Sequence, residues 1–381
     1  MNIIDIEKDC LGCSACIDIC PVDALIETQD ENGFYIPSID SNKCINCEKC
    51  IKVCPAIDST KKEIKAEYFY GWNNDEEVRM RSSSGGIFRA IADHVLKKDG
   101  VVFGAKYSED FQSVEMDSSN NVSIDALQRS KYVQASADGL YRKISHLLGQ
   151  GKTVLLTGTP CQIAAAKKFF GDHTDNLILV DFLCGGSVSP KCYSEYIQWL
   201  ENKYKSKIAA INFRNKKKGW VNCSIKVDFK NKRTYSSRYD FDPYYYYFEC
   251  TPYTKNKACL DCKFTRTRYA DITIADFWGF RKLKLEHDNK GLSLIVAHTA
   301  RGKHVLNQLD NVTFHSLTEE EGAYGFKPKR NNPEKRAARE AFLEEIKQSG
   351  FMKVAEKYYY KNGKIGVAYR KIIRRIKELL G

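Results

Sequence analysis

The sequence predicts an α+β multidomain protein, and three observations predict it. A cysteine run ending in proline occurs twice within the first 60 residues. Patterns of helical and strand period then alternate as far as about residue 325. Beyond that point the chain is highly charged, helical in pattern and almost without turn residues. The expected layout is a small module at 1–60, an α/β region at 66–150 that continues through 151–325, and a charged helical tail at 326–381.

The first module rests on cysteine spacing. Cys10, Cys13, Cys16 and Cys20 are followed by Pro21, and Cys44, Cys47, Cys50 and Cys54 by Pro55. A cubane of four irons and four sulfides needs four thiolates arriving from different directions. The closely spaced cysteines supply three. The fourth of each run reaches the other cluster, and the proline helps the backbone leave the loop. Cluster one is expected on Cys10, Cys13, Cys16 and Cys54, and cluster two on Cys44, Cys47, Cys50 and Cys20. A lone CxxC fits zinc or a redox pair, whereas two complete copies point to two 4Fe-4S clusters in a ferredoxin-like domain. Gly33 to Pro37 reads as a short strand over the clusters, and the polar, lysine-rich stretch from Ser59 to Glu67 as a linker.

The region that follows is read from periodicity. Helical spacing is found at 87–96, 140–148, 161–170 and 193–203. Apolar runs of strand length lie at 100–105, 153–157 and 177–182, with further strands at 208–213, 224–229, 272–275 and 293–297. This succession predicts a mixed α/β domain. The last segment, 367–380, is a basic amphipathic helix, read as a solvated docking element with peripheral membrane contact as the alternative.

Composition narrows the class. A chain of 381 residues exceeds one comfortable core. The N-terminus has no basic stretch leading into an apolar one, and no apolar run approaches the ~18–20 residues that span a bilayer. Fifteen cysteines without a secretory signal point to metal ligation in a reducing cytoplasm rather than to disulfides. The formal charge of +12 invites a nucleic-acid partner. However, each cubane on four thiolates carries about −2 when oxidised, so anionic cofactors balance much of the excess and no nucleic acid is expected.

Seven cysteines lie beyond the first module. Cys161 follows Thr157-Gly-Thr-Pro160 at a strand-to-helix turn, Cys184 precedes Gly185 and Gly186, and Cys259 and Cys262 form a CxxC. From spacing alone these four are either a third ligand set or buried small side chains. Cys192, Cys223 and Cys250 read as packing residues. Two stretches suit phosphate: Ser82-Ser-Ser-Gly-Gly86 before one helix and Thr157-Gly-Thr-Pro160 before another. Each is equally an ordinary helix cap, and neither is a dinucleotide fingerprint. The seven histidines are scattered without a ligand pair, Tyr244 to Tyr247 read as core lining, and Arg214 to Lys218 as a solvated basic turn.

An ordered set of motifs then carries a resemblance. Ser82-Ser-Ser-Gly-Gly-Ile-Phe88, Val101-Val-Phe-Gly-Ala105, Ser130-Lys-Tyr-Val-Gln134, Thr157-Gly-Thr-Pro-Cys-Gln162, Phe182-Leu-Cys-Gly-Gly186 and Asp271-Ile-Thr-Ile-Ala-Asp-Phe-Trp-Gly279 recur in this order. Together they resemble the coenzyme F420 hydrogenase/dehydrogenase beta-subunit family, over roughly residues 65–325. Ala275 stands where the family often has Gly. The resemblance implies that the α/β domain binds FAD and that Cys161, Cys184, Cys259 and Cys262 hold a third 4Fe-4S cluster. It also makes Ser83, Ser84, Gly85, Gly86, Lys131, Tyr132, Gln134, Thr157, Gly158, Thr159 and Gln162 flavin-site candidates. Bacterial members with a similar charged tail are associated with surface-polysaccharide pathways.

The expected activity is an oxidoreductase taking electrons from an external ferredoxin or similar carrier and passing them through FAD to a small organic substrate. The competing expectation is a non-catalytic electron-transfer subunit whose tail from Asn332 docks on a partner enzyme.

Overall fold

The computed structural model describes residue 3 and residues 9–57, 66–171, 174–265, 267–323 and 333–361. Most of the expected linker, His173 and the basic segment 367–380 lie outside the described residues. In the first module, α1 (Ala15–Asp18) and α2 (Lys49–Val53) each begin after a left-handed residue, Ser14 and Glu48, and each carries the third cysteine of its run. Between them β1 (Leu25–Gln29) pairs antiparallel with β2 (Tyr35–Ile39). The strand expected from Gly33 starts at Tyr35, because Asp30 Oδ1 accepts the N–H groups of Asn32 and Phe34 and holds residues 30–34 as the turn.

The larger domain opens with β3 (Glu67–Asn73), α3 (Glu76–Arg81), α4 (Ile87–Lys97), β4 (Val101–Tyr107), β5 (Val114–Ser118) and α5 (Ile124–Leu127). It continues through α6 (Leu140–Gly149), β6 (Val154–Gly158), α7 (Pro160–Phe170), β7 (Leu177–Phe182) and α8 (Pro190–Tyr204). After β8 (Ile208–Asn215), β9 (Ser224–Phe229), β10 (Thr234–Arg238) and α9 (Pro243–Cys250), the chain returns as β11 (Ile272–Asp276), β12 (Ser293–Ala297), α10 (Ala300–Asn307) and β13 (Val312–Leu317). The main sheet has the order β13-β3-β12-β11-β7-β6-β4-β5, and β4, β6, β7 and β11 run parallel at its centre.

Alternation along the central strands decides what covers each face. Val101, Phe103, Val154, Leu156, Leu177 and Leu179 pack with residues of α6, α7 and the cysteine module. Val102, Leu155, Ile178 and Val180 pack instead with residues of α4 and α10. Both faces are buried, which is why these strands read as continuous apolar runs. By contrast β8 and β9, expected within the same succession, leave the main sheet and join β10 in a separate antiparallel one.

The expectation of a docking tail changes here. After α11 (Glu319–Ala323), the helices α12 (Pro333–Ser349) and α13 (Phe351–Lys361) pack into the core beside α8 and α9. Phe342, Leu343, Ile346, Phe351 and Val354 are buried with Tyr244, Tyr245 and Tyr247. The described part of the tail is therefore structural, because its apolar residues complete a core that α8 and α9 leave open.

Candidate redox centre

Two cysteine cages form in the first module. Cys10, Cys13, Cys16 and Cys54 line one cavity with Tyr35 and Pro37, and Cys20, Cys44, Cys47 and Cys50 line a second with Ile45 and Leu25. The crossover expected from spacing, with each run lending its fourth cysteine to the other set, is how the chain folds. Burial first, then the neighbouring thiols, push the Cys13 and Cys16 thiols far up from their usual range. A bare thiolate cage is thus costly, and bound iron would supply the missing positive charge. Backbone N–H groups already point at sulfur: Gly12 at Cys10 Sγ (3.4 Å) and Ala24 at Cys20 Sγ (3.3 Å). Among the described residues no group of three or more His, Cys, Asp or Glu is arranged to hold a single metal ion.

The module is bound tightly to the α/β domain. The Asp18 carboxylate accepts the N–H groups of Gly139 (3.0 Å), Tyr141 (2.7 Å) and Arg142 (3.3 Å) at the start of α6. Arg142 in turn donates to the carbonyls of Ile17, Asp18 and Cys20, and Lys168 of α7 to that of Cys54 (3.0 Å). Gln134 spans the junction, its Oε1 accepting from the Tyr35 N–H at 2.8 Å. Gly12, at φ +63°, is required there, since a Cβ would lie 1.9 Å from Gln134 Nε2 and 2.8 Å from the Tyr35 carbonyl.

A third group of cysteines lies behind this junction. Burial raises the Cys161 thiol, and the thiols of Cys184, Cys259 and Cys13 add to the rise. The Ser187 N–H points at Cys259 Sγ (3.4 Å) and the Gly186 N–H at Cys184 Sγ (3.3 Å). Cys262 follows the 3-10 turn Lys257–Cys259, and the next turn, Lys263–Thr265, packs on α7, the helix that carries Cys161. Gly186, at φ +107°, lets the Cys184 loop approach: a Cβ would come within 3.2 Å of Cys259 Cβ. The buried ring of Tyr141 lies between the groups, near Cys13, Cys16 and Cys161, with its hydroxyl donating to the Gln162 carbonyl. Cys192 and Cys223 are buried elsewhere and Cys250 is exposed.

The flavin-site candidates gather near the carboxyl ends of the parallel strands, where open α/β sheets bind ligands. Ser83 Oγ accepts from the Ser130 N–H at 2.9 Å, and the Gly85 N–H donates to Ser293 Oγ at 2.9 Å, fixing the loop 82–86 before α4. Lys131 Nζ donates to the carbonyls of Gln128 and Arg129 and lies over the Tyr107 ring; burial and nearby Arg129 lower its pKa to about 7. Further candidates are also engaged by protein partners: Gln134 as above, and Thr159 with Gln162, whose Oε1 accepts the Thr159 N–H and hydroxyl as a cap on α7. Tyr132 stacks on Phe248 at 4.1 Å.

Residues missed in the sequence stand beside them. Arg214 and Lys216, read as part of a solvated turn, are largely buried. Arg214 pairs with Asp276 (2.6 Å), whose other oxygen accepts the Trp220 indole N–H (2.8 Å). Lys216 donates to the carbonyls of Arg79, Ser84 and Lys290, tying down the loop 82–86, and burial lowers its pKa to about 7. Asp276 stands within the Asp-Phe-Trp-Gly motif, and a carboxylate at the end of a buried strand was the available hint that a counter-cation would be found.

Paired four-cysteine cages docked on an α/β sheet define an iron–sulfur protein of the electron-transfer class. Comparison with known proteins makes this particular. Residues 9–57 match a 4Fe-4S dicluster domain, as do residues 36–83 in a second description. Residues 151–321 match the C-terminal part of the coenzyme F420 hydrogenase/dehydrogenase beta-subunit family. The protein thus joins a 4Fe-4S dicluster domain to a C-terminal domain of the F420 hydrogenase/dehydrogenase beta-subunit family. An uncharacterized ferredoxin of Methanocaldococcus jannaschii is 58% identical over 33 residues, which are 9% of this chain and 42% of that relative. The match therefore spans less than half of the relative's length. The F420-reducing NiFe hydrogenase complex of Methanosarcina barkeri aligns at 15% identity and a TM-score of 0.43, over 79% of this chain and 94% of that one. No helix among the described residues is long and apolar enough to cross a membrane.

Proposed function

We propose that the protein is a cytoplasmic iron–sulfur flavoprotein oxidoreductase that accepts electrons from an external carrier protein and reduces a small organic substrate. Clusters supply single-electron transfer, and a flavin exchanges such electrons for the pair an organic reduction needs. Cys10, Cys13, Cys16 and Cys54 hold one cluster, Cys20, Cys44, Cys47 and Cys50 another, and Cys161, Cys184, Cys259 and Cys262 the third. The α/β rim holds FAD through Ser83 to Gly86, Lys131, Tyr132, Thr157 and Gly158.

One observation carries the flavin part: an excess of buried donors around that rim. Tyr107 Oη, Thr157 Oγ1 and Arg214 Nε are buried without an acceptor among the described residues. Lys131 uses two of its three N–H donors on backbone carbonyls. Buried donors left unmade cost about 1–3 kcal/mol each, so the rim favours a ligand rich in acceptors and negative charge. A flavin dinucleotide is such a ligand. Lys131 and the N–H groups that open α4 would orient it.

The test is anaerobic mixing of the purified protein with a reduced ferredoxin while flavin absorbance is followed. Wild-type protein should bleach, and Cys16→Ser should bleach far more slowly. Equal rates in the two would remove the first cage from the path and sink the proposal.

A further inference from the structure

We infer that Arg268 is the positioning residue of the third cysteine site, clamping the Cys184 loop to the Cys262 loop. The inference rests on the third-cluster reading above. Arg268 is 5% exposed and belongs to neither cysteine loop. Its Nη1 donates to the Phe182 carbonyl at 3.2 Å, two residues before Cys184. Its Nη2 donates to the Thr265 carbonyl at 3.1 Å. Thr265 is itself locked to the other loop, its N–H and hydroxyl both donating to the Cys262 carbonyl (3.4 and 3.1 Å). One planar group therefore spans two segments distant in sequence, and both carry cysteines of the set.

The guanidinium is held in turn from behind. Nη1 pairs with Asp181 Oδ2 at 3.2 Å, and Asp181 is fully buried on β7. The other Asp181 oxygen accepts from the Thr273 hydroxyl (2.5 Å), on the strand residue directly paired with it in β11. Thr273 Oγ1 also lies 2.8 Å from His298 Nε2. A buried ion pair is weak evidence for stability, because desolvation offsets its attraction. It does give direction: the fork of Arg presents donors at fixed angles, which a lysine ammonium on a flexible stem does not. Since Asp181 neutralises the guanidinium, its chief effect on the cysteines is geometric.

The test uses the full chain, reconstituted anaerobically with iron and sulfide. Iron per chain is measured together with the midpoint potential of each cluster. Wild type should carry about twelve irons. Arg268→Lys, which keeps the charge and loses the fork, should fall to about eight while the two clusters of residues 9–57 keep their potentials, so that loss of fold is distinguished from loss of one site. Thr273→Val, which removes the hydroxyl donor to Asp181 Oδ1 and leaves Arg268 in place, should shift the potential of the third cluster alone and decides the matter if Arg268→Lys is insoluble. Arg268→Lys with wild-type iron and potentials, or Thr273→Val with an unshifted third potential, would overturn the inference. Wild-type protein with only about eight irons would overturn the third-cluster reading and this inference with it.

Discussion

Replacing Asp18 by alanine removes the contact that joins the cysteine module to the start of α6. The carboxylate accepts three backbone N–H groups there, at 2.7, 3.0 and 3.3 Å. Loss of a capping side chain costs about 1 kcal/mol, and a hydrogen bond to a charged group is worth about 1.5–3 kcal/mol net. Desolvation works against this, pushing the Asp18 carboxyl above its usual pKa in spite of the three donors. A net loss of about 2 kcal/mol remains, which is roughly thirtyfold in a local opening equilibrium. Hydrogen exchange on the anaerobic protein reads it directly: amides of residues 139–149 should lose protection by about that factor, while those of β12 should not change. Asp18→Asn, keeping one acceptor oxygen without charge, should fall between. Protection at 139–149 within about twofold of wild type would refute the claim that this contact seats the module.

Three further outcomes follow from particular side chains. Gly12→Ala should loosen the same junction, because φ +63° and the Tyr35 carbonyl at 2.8 Å leave no room for a Cβ; a fall in melting temperature with slower cluster reconstitution is expected. Lys131 has a folded pKa lowered to about 7 from an unfolded value near 10.5, so between those values the unfolded chain binds more protons and flavin-free stability should rise with pH. Lys131→Met should flatten that rise in denaturant titrations across pH 7–10 and weaken FAD binding by roughly tenfold at pH 6.5. Phe351→Ala should destabilise the protein by about 3–5 kcal/mol in thermal unfolding, since the ring is fully buried and edge-on to Tyr244 and Tyr247.

Much of the molecule is legible in the sequence where local chemistry decides. The cysteine crossover follows from spacing, β7 and β12 follow from apolar runs, and β9 from polar/apolar alternation. The short edge elements β5 and β10 escape notice because five residues are too few for either pattern to stand out from the turns around it. The tail misleads for a different reason: its charges dominate the composition, while buried Phe342 and Ile346, one helical turn apart, and Phe351 at the start of α13 sit among them. At the rim, Ser83 and Lys131 are named as candidates from their motif. Arg214 and Lys216 are not, because a run of basic residues looks solvated until Asp276 and three carbonyls are folded against it. Gln134 belongs to a recognisable motif yet serves the junction with Tyr35, a contact across 99 residues that spacing cannot convey.

The central claim is that electrons entering a dicluster domain reach a flavin held at the rim of the α/β sheet. Iron, sulfide and flavin counted together on anaerobically purified protein test it most directly. The expected result is about twelve irons and one FAD per chain. Protein with about eight irons and no flavin, at full occupancy of the first two cages, would contradict it.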